Sequence, residues 1–147
     1  MTVTTEVERN TLIEAGKHLA AVLRALEQKV APGVTAEELD DLAESLIREY
    51  GDEPCFLGYT PEGAPRPYPA TLCVSINDEI VHGIPNESDK VLKEGDIVGL
   101  DLGLSHDGII VDSAITVPVG KVSDESVRLM RDRKSTRLNS SHTDISR

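Results

Sequence analysis

Apolar residues recur at helical spacing from about Val3 to Val30, with Leu12, Leu19, Leu23, Leu26 and Val30 joined by Ala15 and Val22. This pattern predicts a long amphipathic helix, stopped by Pro32-Gly33. A second helix should open at Thr35, because Thr35-Ala36-Glu37-Glu38 has the form of a capping box. It carries Leu39, Leu42, Leu46, Ile47 and Tyr50 on one face, and Gly51 suits its C-terminal cap. The segment from Gly51 to Pro69 is rich in proline and predicts a loop. Thr71 to Ile76 then predicts a strand, Asn77-Asp78 a turn, and Glu79 to His82 the returning partner. A second hairpin follows Glu94-Gly95-Asp96, and Ser123-Asp124-Glu125-Ser126 opens a short third helix. The order helix, helix, hairpin, hairpin predicts an α+β layer with helices on one face of an antiparallel sheet.

The second hairpin concentrates the candidate chemistry. Its strands flank Ser105-His106-Asp107-Gly108, a turn sequence with glycine where a positive φ is needed. A symmetric fold about that turn sets Leu104 opposite Ile109, Leu102 opposite Val111, and Asp101 opposite Asp112. One face then carries Val98, Leu100, Leu102 and Leu104 against Ile109, Val111, Ile115 and Val117. The other carries Gly99, Asp101 and Gly103 against Ile110, Asp112, Ala114 and Thr116. A one-residue slip would mix the two sets, so burial opposes it. Directly opposed like charges destabilise a sheet, so this pair calls for a shared proton or a bound cation. The small neighbours Gly99, Gly103 and Ala114 should leave room for a bound species. The bland alternative is two solvated carboxylates at strand edges. Two aspartates alone rarely hold a metal, so further ligands must come from elsewhere.

Composition narrows the classes. The 147 residues suit one domain, and with no Trp and a single Phe the core must be aliphatic. A net charge of −11 without a basic patch argues against nucleic acid and anionic membranes as partners. The N-terminal stretch has no apolar run, so neither a signal peptide nor a membrane span is expected. Cys55 and Cys73 have no metal-type spacing and read as free thiols of a cytoplasmic protein. His18 falls on the first helix and His106 in the hairpin turn, and the sequence offers neither a partner. Residues 132–147 are polar, locally basic and aperiodic. They resemble the translation of a sequencing-library adapter, so they are read as a non-native or disordered tail after a domain of residues 1–131, and His142 is set aside as a ligand.

A family resemblance rests on several segments in order. Cys73-Val-Ser-Ile-Asn-Asp-Glu-Ile-Val-His-Gly-Ile-Pro85 is followed by Gly95-Asp-Ile-Val-Gly-Leu-Asp101 and, eleven residues on, by Asp112. Upstream lie Pro32-Gly33-Val34-Thr35, Leu57-Gly58-Tyr59 and Tyr68-Pro69. Together they resemble type I methionine aminopeptidase over about residues 10–131. The resemblance implies the pita-bread fold, here about its N-terminal half, and removal of the initiator methionine from nascent polypeptides. It implies two divalent ions (Co, Mn, Fe or Zn), with Asp101 binding one and Asp112 bridging both. It casts His82 as the catalytic histidine that bonds substrate near the scissile amide, and Tyr59, Tyr68 and Cys73 as walls of the methionine pocket. It also suggests a cytoplasmic, ribosome-associated monomer. The family's other ligands, one histidine and two glutamates, have no match here, so the chain alone is expected to be inactive. Rival readings are a catalytically dead module of the same fold that binds peptides or partner proteins, an X-Pro or creatinase-type peptidase, and a simple divalent-metal-binding α+β domain.

Overall fold

The computed structural model describes residues 2–131. Helix α1 runs Glu6–Lys29 and helix α2 runs Ala36–Glu49. Both begin with a complete capping box, Thr5 with Glu8 and Thr35 with Glu38. In each, the threonine hydroxyl accepts the N3 amide while the glutamate accepts the threonine N–H, so two otherwise orphaned donors are paired. Gly51, at φ 77°, follows the C-cap of α2 in the left-handed conformation that a β-carbon disfavours. Residues 124–131 form the expected third helix, with the Ser126 amide bonded to the Ser123 hydroxyl. The expectation for residues 132–147 lies outside the described residues.

The sheet has four antiparallel strands: β1 (Glu53–Pro54), β2 (Leu72–Ile76), β3 (Ile97–His106) and β4 (Ile109–Pro118). Strand β3 is central. One edge pairs with β2 and, beyond it, with β1, while the other pairs with β4 along its whole length. Helix α1 lies across β3 and β4, and α2 covers β2 and β1. The buried core is aliphatic, as composition required. Leu19, Val22, Leu23 and Leu26 of α1 and Leu39 and Ile47 of α2 meet Leu72, Val74, Val98, Leu100, Leu102 and Leu104 of the sheet.

Two expectations need correction. The segment Glu79–His82 does not return as a strand beside β2; β2 pairs with β3 instead, Cys73 opposite Asp101. Positive φ at Asn77 (55°) and His82 (58°) curls the segment into a loop. It is tied to β2 through the Val74 N–H to Gly83 C=O bond (2.8 Å).

The β3–β4 register also differs. Asp107 (φ 47°) and Gly108 (φ 79°) form a two-residue turn, so His106 faces Ile109 and Leu104 faces Val111. Asp101 therefore faces Ala114, and Asp112 faces Gly103. The displacement is two residues, which leaves every side chain on its predicted face.

Candidate metal and substrate site

Asp101 stands at the middle of β3, between Cys73 on β2 and Ala114 on β4. Asp112 is its diagonal neighbour on the same face. Diagonal positions lie about 7–8 Å apart at Cα, within reach of two side chains. The carboxylates do meet. Burial, and then the charge of and hydrogen bond with Asp112, push the Asp101 carboxyl above its ordinary value, while His82 pulls the other way. The like-charge conflict foreseen for a direct pair is thus present in a diagonal one, and it favours a cation or a shared proton between the two.

The space around the pair is smaller than the glycines suggest. A β-carbon at Gly103 would come within 2.9 Å of the Phe56 ring and 3.4 Å of Cys55 Cβ, so the place beside Asp112 is already filled. Gly99 has ordinary clearance, with its nearest neighbours in Ser75. The open side of the pair is therefore toward Gly99, Ala114 and the loop bearing His82.

His82 is exposed and lines a cavity of about 440 Å³ with Val81, Ile84, Glu87 and Lys90. Its loop is clasped at three points that the sequence did not announce. The Gly83 amide donates to the Ser75 hydroxyl (3.1 Å), and the Tyr68 hydroxyl lies 3.3 Å from the Gly83 carbonyl. Lys90 bonds both Glu79 oxygens (2.7 and 2.9 Å) and the Val74 carbonyl (3.3 Å). Burial opposes ionisation of Glu79, but bonds from Lys90 and the Ile76 amide outweigh it and hold the carboxyl below its ordinary value. Gly83 is required here, because a β-carbon would fall 2.1 Å from the Val74 carbonyl oxygen.

Of the expected pocket residues, Tyr68 and Cys73 are brought together and Tyr59 is not. Burial, then a hydrogen bond with Cys73, pushes the Tyr68 phenol well above its ordinary value, and burial pushes the Cys73 thiol up. Phe56 packs edge-on against Tyr68 with ring centroids 6.4 Å apart. Tyr59 is 61% exposed, and its backbone pairs with that of Tyr68.

The fit of a divalent centre can be judged on these donors. Asp101 and Asp112 offer carboxylate oxygens on one face, with a charge conflict that a cation relieves. Two carboxylates are a partial set, short of what two ions require.

Comparison with known proteins fixes the lineage. The profile described as metallopeptidase family M24 matches residues 10–135. The chain belongs to metallopeptidase family M24. It is 42% identical over 134 residues to a methionine aminopeptidase of Aquifex aeolicus, covering 91% of this chain and 51% of that protein. It is 47% identical over 117 residues to methionine aminopeptidase 1 of Mycobacterium tuberculosis, covering 80% and 41%. The crystal structure of a Thermotoga maritima methionine aminopeptidase superposes with a TM-score of 0.79 at 34% identity, over 89% of this chain and 50% of that one. An X-Pro aminopeptidase from the same organism shares the fold, with a TM-score of 0.66 at 23% identity, over 86% of this chain and 32% of that one. This M24 chain thus has about the N-terminal half of the pita-bread fold, and spans about half the length of the curated relatives it matches.

Two histidines passed over in the sequence are not isolated. His18 Nδ1 lies 2.8 Å from one oxygen of Asp52, and His106 Nδ1 lies 2.6 Å from the other. The bond to Asp52 raises the His106 imidazole above its ordinary value. These partners are 34 and 54 residues apart in the chain, so no local spacing could have revealed them.

Proposed function

We propose that this M24 chain carries the first-half metal ligands and the substrate-recognition loop of a methionine aminopeptidase, which removes N-terminal methionine from nascent polypeptides. The observation that carries this reading is the meeting of Asp101 and Asp112 on one face, with His82 close enough to act on the Asp101 carboxyl.

In this reading Asp101 and Asp112 would contribute carboxylate ligands to divalent metal (Co, Mn, Fe or Zn), which would supply Lewis acidity for amide hydrolysis. His82 donates a hydrogen bond to the substrate beside the scissile amide, where negative charge develops. Its left-handed backbone and the clasp through Gly83, Ser75 and Lys90 fix the direction in which the imidazole points. Half-buried Tyr68 and buried Cys73, both uncharged near neutral pH, present an apolar wall to a methionine side chain. Tyr59 can join that wall only if its loop closes over the substrate.

The ligand set here is two carboxylates, so we propose that the chain alone does not turn over substrate. The protein is read as a cytoplasmic monomer acting close to the ribosome. Its free thiols suit a reducing compartment, and among the described residues no helix is long and apolar enough to cross a membrane.

The test is methionine release from a Met-Ala-Ser peptide with added Co²⁺ or Mn²⁺. It compares this chain with the product of the reading frame continued past codon 131. Release by the longer product, abolished by Asp101→Asn, and no release by the 147-residue chain are the expected results. A longer product that spares Met-Ala-Ser but cleaves an Xaa-Pro peptide would overturn the substrate assignment. Turnover by the short chain would overturn the incomplete-site reading.

A further inference from the structure

The far end of the β3–β4 hairpin holds a second constellation, outside the peptidase site. Asp101 and His106 lie five residues apart on β3, about 17 Å at the rise of a strand. At that end, His18 from α1, Asp52 from the turn after α2, and His106 from the end of β3 converge. One donor atom from each lies within 4.8 Å of the others. The Asp52 side chain is wholly buried, and those of His18 and His106 are 14% and 21% exposed. We infer that His18, Asp52 and His106 form a binding site for a single transition-metal ion of the Zn²⁺ or Co²⁺ class.

Four observations carry the inference. Two imidazole nitrogens with one carboxylate suit Zn, Co, Fe or Ni and disfavour Mg or Ca, which take oxygen donors. Both rings turn Nδ1 inward and leave Nε2 beside another carboxylate: Glu14 Oε1 at 3.5 Å from His18, and Asp107 Oδ2 at 3.9 Å from His106. At these distances they are charge contacts rather than hydrogen bonds, placed where outer-shell carboxylates orient metal-bound histidines. Three carboxylates then surround two imidazoles, with Lys17 paired to Glu14 at 3.1 Å, so the cluster still carries excess negative charge unless it binds further cations, either protons or a metal. Finally, the donors are fixed by packing: the Tyr50 ring stacks on His18 at 4.3 Å, and the two imidazoles meet edge to face at 4.9 Å.

The metal-free form holds the donors together by hydrogen bonds of 2.8 and 2.6 Å. Metal–nitrogen bonds of about 2.0–2.1 Å place tetrahedral donors about 3.3 Å apart, so the two hydrogen-bonded pairs must open by less than about 1 Å while the widest pair, within 4.8 Å, closes by up to about 1.5 Å. The ion takes the place of any proton on Nδ1: a neutral ring carries its proton on Nε2 instead, beside Glu14 or Asp107, and only a charged ring gives one up to solvent. The partly exposed side of the two rings leaves its fourth position to water.

The test uses the 147-residue chain with Asp101→Asn and Asp112→Asn, which removes the peptidase-site carboxylates. Zn²⁺ is titrated by calorimetry, and Co²⁺ by its visible absorption. One ion per chain is expected, with release of protons. Loss of an outer-shell carboxylate costs about 10–100-fold in affinity, so Glu14→Gln should weaken binding about tenfold and Asp52→Asn by at least about 100-fold. Asp52→Asn removes a buried charge and can unfold the chain. The ring ¹⁵N signals of His18 and His106 are therefore also followed in the otherwise unaltered chain as Zn²⁺ is added, and both Nδ1 signals should move together. No saturable binding, binding indifferent to Glu14→Gln, or unmoved His18 and His106 signals would each overturn the proposal and leave a purely proton-held cluster.

Discussion

Asp112 sits across from Gly103 and diagonal to Asp101, two residues from the directly opposed position. The diagonal still brings the carboxylates into contact, and it leaves the backbone position opposite Asp101 to Ala114. An ion between them would be held from two adjacent strands of one rigid ladder, which is more precise than a site built on loops.

The first prediction follows from that contact. In chelator, Asp101→Asn removes one of two abutting charges. Like-charge relief across strands is worth on the order of 0.2–1 kcal/mol. The apparent melting temperature should therefore rise by roughly 1–3 °C. With divalent metal present the order should invert, because the unaltered chain gains binding energy that the variant lacks. Scanning calorimetry in both buffers checks this, and a variant that is less stable in chelator sinks the repulsion argument.

A second prediction concerns Asp40 on α2. One of its oxygens accepts the amides of Thr71 (2.9 Å) and Leu72 (2.7 Å) at the start of β2. Those two residues are 1% and 0% exposed. Asp40→Ala orphans both donors and should cost about 1–3 kcal/mol for each one left unpaired. Asp40→Asn keeps an acceptor and should cost far less. Denaturant titration of the two variants decides between a packing role and an acceptor role.

The same residue gives a pH dependence. Burial raises the Asp40 carboxyl above its ordinary value, the two amide bonds oppose this, and Asp41 and Glu44 add to the rise. Tyr68 and Cys73 also face it and stay neutral through the acid range. A raised folded value means the folded state holds the proton more tightly. The resulting stability is present in full below the unfolded value of about 3.9 and is lost as pH rises through the folded value. The melting temperature of Asp40→Asn relative to the unaltered chain should therefore climb between about pH 3 and pH 7. A flat difference would show that Asp40 does not titrate differently on folding.

Gly83→Ala tests the clasp on His82. Its β-carbon would meet the Val74 carbonyl oxygen at 2.1 Å, and neither backbone can yield easily. A cost of about 1–3 kcal/mol is expected, with displacement of the loop. In the longer protein the variant should lose turnover while still binding metal, as read by peptide assay and metal titration side by side. Loss of both would mean that the clasp supports the sheet rather than the loop.

Much of this was legible in the chain. The helices, the capping box at Thr35 and the inward faces of β3 and β4 follow from periodicity and local hydrogen bonding, whereas the second box, Thr5 with Glu8, went unread. The hairpin register was not legible, and the reason is specific. Apolar alternation fixes only the parity of a pairing, because a shift of two residues returns every side chain to the same face. The choice between registers lay with the turn, where Asp107 and Gly108 alone take positive φ and His106 joins the strand. The false strand at Glu79–His82 has a related cause. Ile80 and Val81 look like strand residues, yet they are 86% and 60% exposed on a loop held by Lys90 and Ser75 from elsewhere. The His18–Asp52–His106 cluster is wholly tertiary. Chemistry carried by residues on one strand or one hairpin could be read, and chemistry assembled from three elements could not.

Strand β3 is bonded along both edges at Asp101, to Cys73 on one side and Ala114 on the other, whereas His82 hangs from a loop joined to β2 at a few points. The two parts of the proposed site therefore stand on ground of unequal firmness. The amide of Asp101 should exchange its hydrogen only when the whole sheet opens, and the amide of His82 through small local openings. If the longer protein has the proposed activity, its grip on the substrate should loosen on heating while the carboxylates still keep their places, so thermal inactivation would begin as a failure of recognition.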